Sequence, residues 1–277
     1  MLNGDTRIIA HVGYPTTTFK SPLIYNPWFE ARGVNAAVVP LGVRAEDFKA
    51  SFPAICRFTN FGGALITMPH KVAVLDLLSE VSTAAEICGA CNAVRLEGDG
   101  RLVGDMFDGE GFVRGAKRNG VEIAGRAALI VGSGGVGSAI AASLAAAGVR
   151  KLALYDARDV AAAALAERLR SHYPALEVAH GSNDPGGYDI VVNATPLGMK
   201  TGDALPLDTD RLSPSTFVGE VVLSQAETAF LAAAKARGCK TQIGLDMLFE
   251  QIPAYLEFFG FPKASAEELR QGAKISY

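Results

Sequence analysis

The chain has 277 residues, 49% hydrophobic and 20% charged, the balance of a globular protein with a sizeable core in one large or two ordinary domains. A net charge of −3, with no basic run, excludes an electrostatic appetite for nucleic acid or anionic lipid. The opening MLNGDTRIIA lacks the layout of a secretory signal, and the apolar stretch 127–148 is interrupted by clustered glycines, so a cytoplasmic protein with no membrane span is expected.

In chain order, RIIAHVG (7–13) reads as a strand, and a helix follows Ser21-Pro22, since proline suits the first helical turn. NAAVVPLGV (35–43) and GALITM (63–68) are the next strands. KVAVLDLL (71–78) has the pattern of an amphipathic helix, with Pro69 in its first turn and Lys71 at its start. A cation sits poorly at the positive end of a helix. It either reaches water along its stem or serves chemistry. AVRLEGDGRLVGDM (93–106) reads as a hairpin turning at Gly98–Gly100 and closes a first α/β unit.

A second alternation starts at Ala127. Its strands are AALIV, KLALYD, EVAH, DIVVNAT and TFVGEVV, separated by helices such as AAAALAERLR and ETAFLAAAKARG. That is the signature of a parallel sheet with helices on both faces. After a short strand TQIG, the helical LDMLFEQIPAYLEFF ends the pattern and is free to pack back on the first unit. Cys88 and Cys91 form an isolated C-x-x-C with no second ligand pair at metal spacing, so no metal is expected. Small buried residues are the plainer reading, with a redox motif as the alternative.

Residues 132–137 read G-S-G-G-V-G between an apolar strand and a small-residue helix. In that context Gly132 permits the tight turn, Gly134 lets a pyrophosphate approach the backbone, and Gly137 lets helix and strand pack closely. Ser133, Gly135 and Val136 complete the loop, and the helix N-terminus offers free N–H donors to the anion. Asp156 ends the next strand, where an acid that binds both ribose hydroxyls belongs. It would repel a 2′-phosphate, whereas Arg158 would welcome one; the closer carboxylate favours NAD over NADP. A helix cap is the alternative role for Asp156.

Seven ordered stretches resemble the shikimate dehydrogenase family nearly end to end: GYPTTTFKSPLIYN (13–26), LITMPHK (65–71), GACNAV (89–94), GDMFDGEGF (104–112), GSGGVGSA (132–139), NATPLGM (193–199) and MLFEQ (247–251). The resemblance implies two α/β domains with a cleft between them. A discontinuous substrate-binding domain would take 1–106 plus 246–277, and a Rossmann-type doubly wound cofactor domain would take 107–245. It implies NAD(P)-dependent interconversion of 3-dehydroshikimate and shikimate, with Lys71 as the catalytic lysine and Asp108 its carboxylate partner. Ser21, Thr67, Asn92 and Gln251 would hold the substrate. Thr195, Pro196, Val221 and Gly244 would lie by the cofactor. Each has a plainer alternative: helix caps for Ser21 and Asp108, strand filler for Thr67, a turn for Asn92, a solvated helix position for Gln251, and a mere chain turn for Thr195 and Pro196.

Several positions depart from the family's pattern. Phe19 stands for the first of two serines, Leu65 for an asparagine, Met106-Phe107 for asparagine–threonine, and Leu223 for a tyrosine. All make the pocket less polar, and a carboxylate should be held less firmly by about 1–3 kcal/mol per donor lost. The expected ligand is therefore a cyclic hydroxy acid, with shikimate first and quinate or an aminoshikimate as variants, in a monomer or homodimer. A non-catalytic NAD-binding regulatory module of the same fold is the competing reading.

Overall fold

The computed structural model describes residues 2–225 and 227–275. The chain divides into two units, one built from residues up to Phe107 and from Ile252 onward, the other from Asp108–Gln251.

The first unit runs β1 (Arg7–Gly13), α1 (Pro22–Arg32), β2 (Ala36–Gly42), α2 (Phe48–Ile55), β3 (Phe61–Ile66), β4 (Glu80–Val81), α3 (Thr83–Cys88), β5 (Ala93–Leu96) and β6 (Leu102–Asp105). Its sheet has the order β2-β1-β3-β5-β6-β4. β1 runs parallel to β2 and β3, whereas β5 is antiparallel to both β3 and β6. Every residue of β3 is buried, as befits a strand covered on both faces. Ala10, Val12, Ala64 and Ile66 pack with Phe48 and Phe52 of α2 into one core.

The helix expected over 71–78 is a 3-10 turn, Ala73–Leu77. The reason is not local. In an α-helix the Lys71 carbonyl would accept from residue 75; here it accepts from Cys91 N at 2.8 Å, and Leu75 N turns to the Val72 carbonyl at 3.1 Å. Pro69 lies ahead of this turn, after a cis peptide bond, and starts no helix. Lys71 therefore meets no α-helix dipole of its own.

The second unit comprises α4 (Asp108–Arg118), β7 (Ala127–Val131), α5 (Gly135–Ala146), β8 (Lys151–Tyr155), α6 (Asp159–His172), β9 (Glu177–His180), β10 (Ile190–Asn193), β11 (Phe217–Glu220), α7 (Ala229–Ala236), β12 (Lys240–Gln242) and the start of α8 (Gly244–Phe258). Its six strands are all parallel, in the order β12-β11-β10-β7-β8-β9. The order reverses between β7 and β10, which makes the carboxyl ends of those two strands the topological switch point. α9 (Ala266–Gly272) and the last turns of α8 return to the first unit. There Phe261 meets Phe29 at 4.9 Å, and Arg95 donates to the Phe258 carbonyl at 2.6 Å.

Helix α4 lies close against α5 because Gly109 has no side chain: a Cβ there would sit 2.0 Å from the Ala139 carbonyl oxygen. Gly109→Ala should destabilise the protein by about 1–3 kcal/mol, read as a lower denaturant midpoint at unchanged slope. An unchanged midpoint would show that the two helices separate freely.

Candidate active site

In the first unit the candidate residues gather where β1 and β3 end. Thr67 N donates to the Val12 carbonyl at 2.9 Å, and Tyr14 N donates to the Met68 carbonyl at 2.9 Å, so the two strand ends are tied together. His70 is buried, bonds the Val43 carbonyl through Nε2 at 2.7 Å and stacks on Phe48. With the Cys91–Lys71 backbone bond, these contacts fix the turn that carries Lys71. Ser21 precedes α1 but is helical itself and makes no capping bond, so its hydroxyl is not spent as a cap. Asn92 is buried; its Oδ1 accepts from Phe107 N at 3.0 Å, joining the start of β5 to the chain beyond β6.

Four of the residues that depart from the family pattern belong to this first unit, whereas Leu223 lies in the second, after β11. Phe19 stacks on His11 of β1 with ring centroids 3.9 Å apart, and Leu65 is the register partner of His11 on β3. His11 is buried, and its Nδ1 has no hydrogen-bond partner. Burial first, and the nearby Lys71 charge second, push the imidazole down to about 4, so it is neutral at pH 7. Met106 is fully buried, and Phe107 packs edge-on against Tyr255 and Phe258.

In the second unit, Asp108 opens α4 and is buried. Gln251 is also buried, which rules out a solvated helix position; its Oε1 has no hydrogen-bond partner. The glycine turn follows β7 at the switch point. Gly132 has φ +105, and a Cβ there would lie 2.7 Å from the Ala194 carbonyl; one at Gly137 would lie 1.9 Å from the Gly132 oxygen. At Gly134 a Cβ would meet no described atom within 4 Å. Gly134 and Gly135 are exposed at the N-terminus of α5, with Val136 half-buried behind them. The Ser133 hydroxyl oxygen is buried without a partner.

Asp156 closes the turn from β8: its Oδ2 accepts from Ser133 N at 2.8 Å and its Oδ1 from Arg158 N at 2.9 Å. Burial pushes the carboxyl up, but these bonds and the Arg158 charge outweigh it and hold it below the usual range, so it is ionised at neutral pH. It caps no helix, since α6 begins at Asp159 after Arg158. The Arg158 side chain is largely exposed, 3.6 Å from Asp156.

The loops after β10 and β11 are bound to each other. Asn193 Oδ1 accepts from the Thr195 hydroxyl at 2.7 Å, and its Nδ2 donates to the Leu197 carbonyl at 3.0 Å; Pro196 is exposed between them. Glu220, register partner of Asn193, accepts from the Thr228 hydroxyl at 2.7 Å. Ser224 donates to the Met199 carbonyl and Gln225 to the Gly198 carbonyl. Val221 lies against Gly244, where a Cβ would come within 2.7 Å of the Val221 carbonyl carbon. His11 and Glu220 did not stand out in the sequence; the signal was a single polar residue inside an apolar strand in each case.

Cys88 and Cys91 are buried, and burial pushes the Cys91 thiol up to about 12, the reverse of what a redox pair requires. Among the described residues no cluster of His, Cys, Asp and Glu could hold a metal, and no helix is long and apolar enough to cross a membrane.

The chain is similar to known proteins over nearly its whole length. The family of shikimate dehydrogenase substrate-binding domains matches residues 12–94, and the ThiF family matches 119–179. A shikimate dehydrogenase (NADP(+)) of Rubrobacter xylanophilus is 38% identical across 90% of this chain and 89% of its own. The crystal structure of shikimate 5-dehydrogenase from Listeria monocytogenes, in complex with shikimate and NAD, superposes with a TM-score of 0.91 at 27% identity, covering 98% of this chain and 97% of that one. Quinate dehydrogenase from Corynebacterium glutamicum in complex with NAD superposes with a TM-score of 0.86 at 30% identity, covering 96% and 98%.

Glu220 offers a test of the loop assembly. Burial raises its carboxyl to about 7, against hydrogen bonds from Thr228 and Asn193 that pull it down. Its folded value lies above the unfolded one, so ionising it disfavours the fold as pH rises through that window. Glu220→Gln should remove about 1–3 kcal/mol of the stability loss between roughly pH 4.5 and pH 8, measured by denaturant unfolding at each pH. Identical pH slopes for variant and wild type would contradict the assignment.

Proposed function

The chain belongs to the shikimate dehydrogenase family, and from that premise we propose that it reversibly reduces 3-dehydroshikimate to shikimate, or acts on a close cyclic hydroxy acid such as quinate or an aminoshikimate, with NAD preferred over NADP. That it is an oxidoreductase of this family with a Rossmann-type unit follows from the comparisons; the substrate and the cofactor preference are our reading. A single observation carries it: the turn at the switch point leaves an open approach at Gly134, an unpartnered Ser133 hydroxyl and the ionised Asp156 together at the end of β7. These residues fit a dinucleotide. Gly132–Gly137 would take the pyrophosphate and Asp156 the ribose hydroxyls, with Arg158 at the rim. Thr195, Pro196, Val221 and Gly244 would border the nicotinamide.

When bound, the nicotinamide supplies or accepts a hydride. The chain's own task is the proton. Reduction of a ring ketone produces an alkoxide, and Lys71 protonates it; oxidation needs the same amine to take the proton back. Asp108 supplies the carboxylate that orients the ammonium. Ser21, Thr67, Asn92 and Gln251 offer neutral donors and acceptors that suit ring hydroxyls. Two of them support this directly: Ser21 is not used as a cap, and Gln251 Oε1 is buried without a partner.

The test is an absorbance assay with shikimate and each cofactor. Lys71→Ala should lower turnover by at least about a hundredfold while NADH still binds. A fall of less than threefold would remove Lys71 from the chemistry, and binding without turnover on any ring acid would assign the chain to a non-catalytic module. Asp156→Ala should raise the NADP-to-NAD ratio of kcat/KM by about tenfold, and an unchanged ratio would overturn the cofactor preference.

A further inference from the structure

The carboxyl ends of β1 and β3 hold one polar group that the proposed chemistry leaves unused. His11 is 7% exposed, its Nδ1 is buried without a partner, and its ring is fixed by stacking on Phe19. Phe19 is held in turn. A Cβ on Gly13 would meet Thr67 Cγ2 at 2.3 Å and Phe19 Cζ at 3.0 Å, so Phe19, Thr67 and the strand end converge on one point. Leu65 lies beside His11 in register, and the Lys71 charge reaches the imidazole. These residues thus share the region assigned above to the substrate.

We propose that His11 is a specificity-determining residue: with Phe19 and Leu65 it forms an uncharged wall that hydrogen-bonds a neutral, hydroxyl-bearing substituent of the substrate ring and disfavours a carboxylate there. The proposal rests on the reading of this region as the binding site for a ring ketone or alcohol. A buried polar atom left unpaired is costly and rare in a native interior, so a group that pairs with Nδ1 is favoured when it arrives. The imidazole is uncharged in this setting, held so by burial and by the Lys71 cation. A neutral imidazole presents one donor and one lone pair, whichever tautomer it takes. A hydroxyl both donates and accepts, and so complements either nitrogen. A carboxylate only accepts, so it pairs with a given ring nitrogen in one tautomer alone, and beyond that nitrogen it would face an aromatic ring and an aliphatic side chain. The same wall carries two of the departures from the family pattern, Phe19 for serine and Leu65 for asparagine, and each puts an apolar side chain where that pattern has a polar one.

The experiment compares shikimate with its hydroxymethyl analogue, in which the carboxylate is replaced by CH2OH, as substrates for oxidation by the full-length protein with each cofactor. The wild type should favour the neutral analogue at least tenfold in kcat/KM, chiefly through KM. His11→Val should cut that preference to threefold or less. His11→Asn, which keeps a donor and an acceptor, should restore part of it, and thermal unfolding of each variant separates specificity from lost folding. Turnover of shikimate as good as that of the analogue, or a preference untouched in a folded His11→Val protein, overturns the proposal and leaves the enzyme reading standing. No turnover of either ring with either cofactor, while NADH binds, overturns both.

Discussion

The second unit depends on one steric constraint, the meeting of two backbones at the point where its strand order reverses. The glycine turn after β7 and the Ala194–Thr195 segment after β10 lie so close that side chains at Gly132 or Gly137 would collide with backbone atoms. The collisions have different partners: Ala194 for the first glycine, Gly132 itself for the third. Gly134 and Gly135, at the N-terminus of α5 beside this close approach, are exposed. An anion is the natural complement of that arrangement. Asp156 then borders the turn by accepting from Ser133 N, so the parts proposed to take the pyrophosphate and the ribose are joined by one backbone-to-carboxylate hydrogen bond.

The first unit reaches its arrangement by other means. Lys71 is set by a lattice of long-range backbone bonds, with Cys91 reaching its carbonyl and Val12 receiving Thr67 N. The buried His70 locks the base of the turn onto Phe48. A flexible lysine stem is thereby carried on a rigid support, which suits the role proposed for its amine. The surroundings are less polar than the family's sequence pattern leads one to expect. Phe19, Leu65 and Met106 are apolar, and the buried His11 carries no charge.

Much of this was legible in the sequence, for physical reasons that can be named. β1, β7 and β9 coincide with the apolar or alternating runs read as strands, because Gly, Asp or a polar turn bounds each run. The hairpin of β5 and β6 turns where Gly98–Gly100 allows it. What the sequence hid was decided at long range. The 3-10 turn at Ala73–Leu77 replaces a helix because Cys91, distant in sequence, takes the carbonyl that the helix needed. Helices α2 and α3 are only a few turns long, held by tertiary packing more than by periodicity. α9 carries its own local signal, the capping box formed by Ser265 and Glu268. Among the candidate site residues, the glycines and Asp156 were suggested by motif and spacing, and Lys71 by the family resemblance. His11 and Glu220 were not, because a polar residue in an apolar strand looks like an exception until its neighbours are known.

Gly134→Ala tests the central constraint most directly, because it separates the two uses of the turn. Gly134 has an ordinary φ of −74, and a Cβ there clashes with no described atom, so the fold has no reason to suffer. The added methyl would occupy the approach reserved for the pyrophosphate. Fluorescence titration with NADH, alongside thermal unfolding, should show at least about a tenfold weaker dissociation constant at an unchanged unfolding midpoint. Undiminished NADH affinity in the folded variant would mean that the dinucleotide does not lie on this turn.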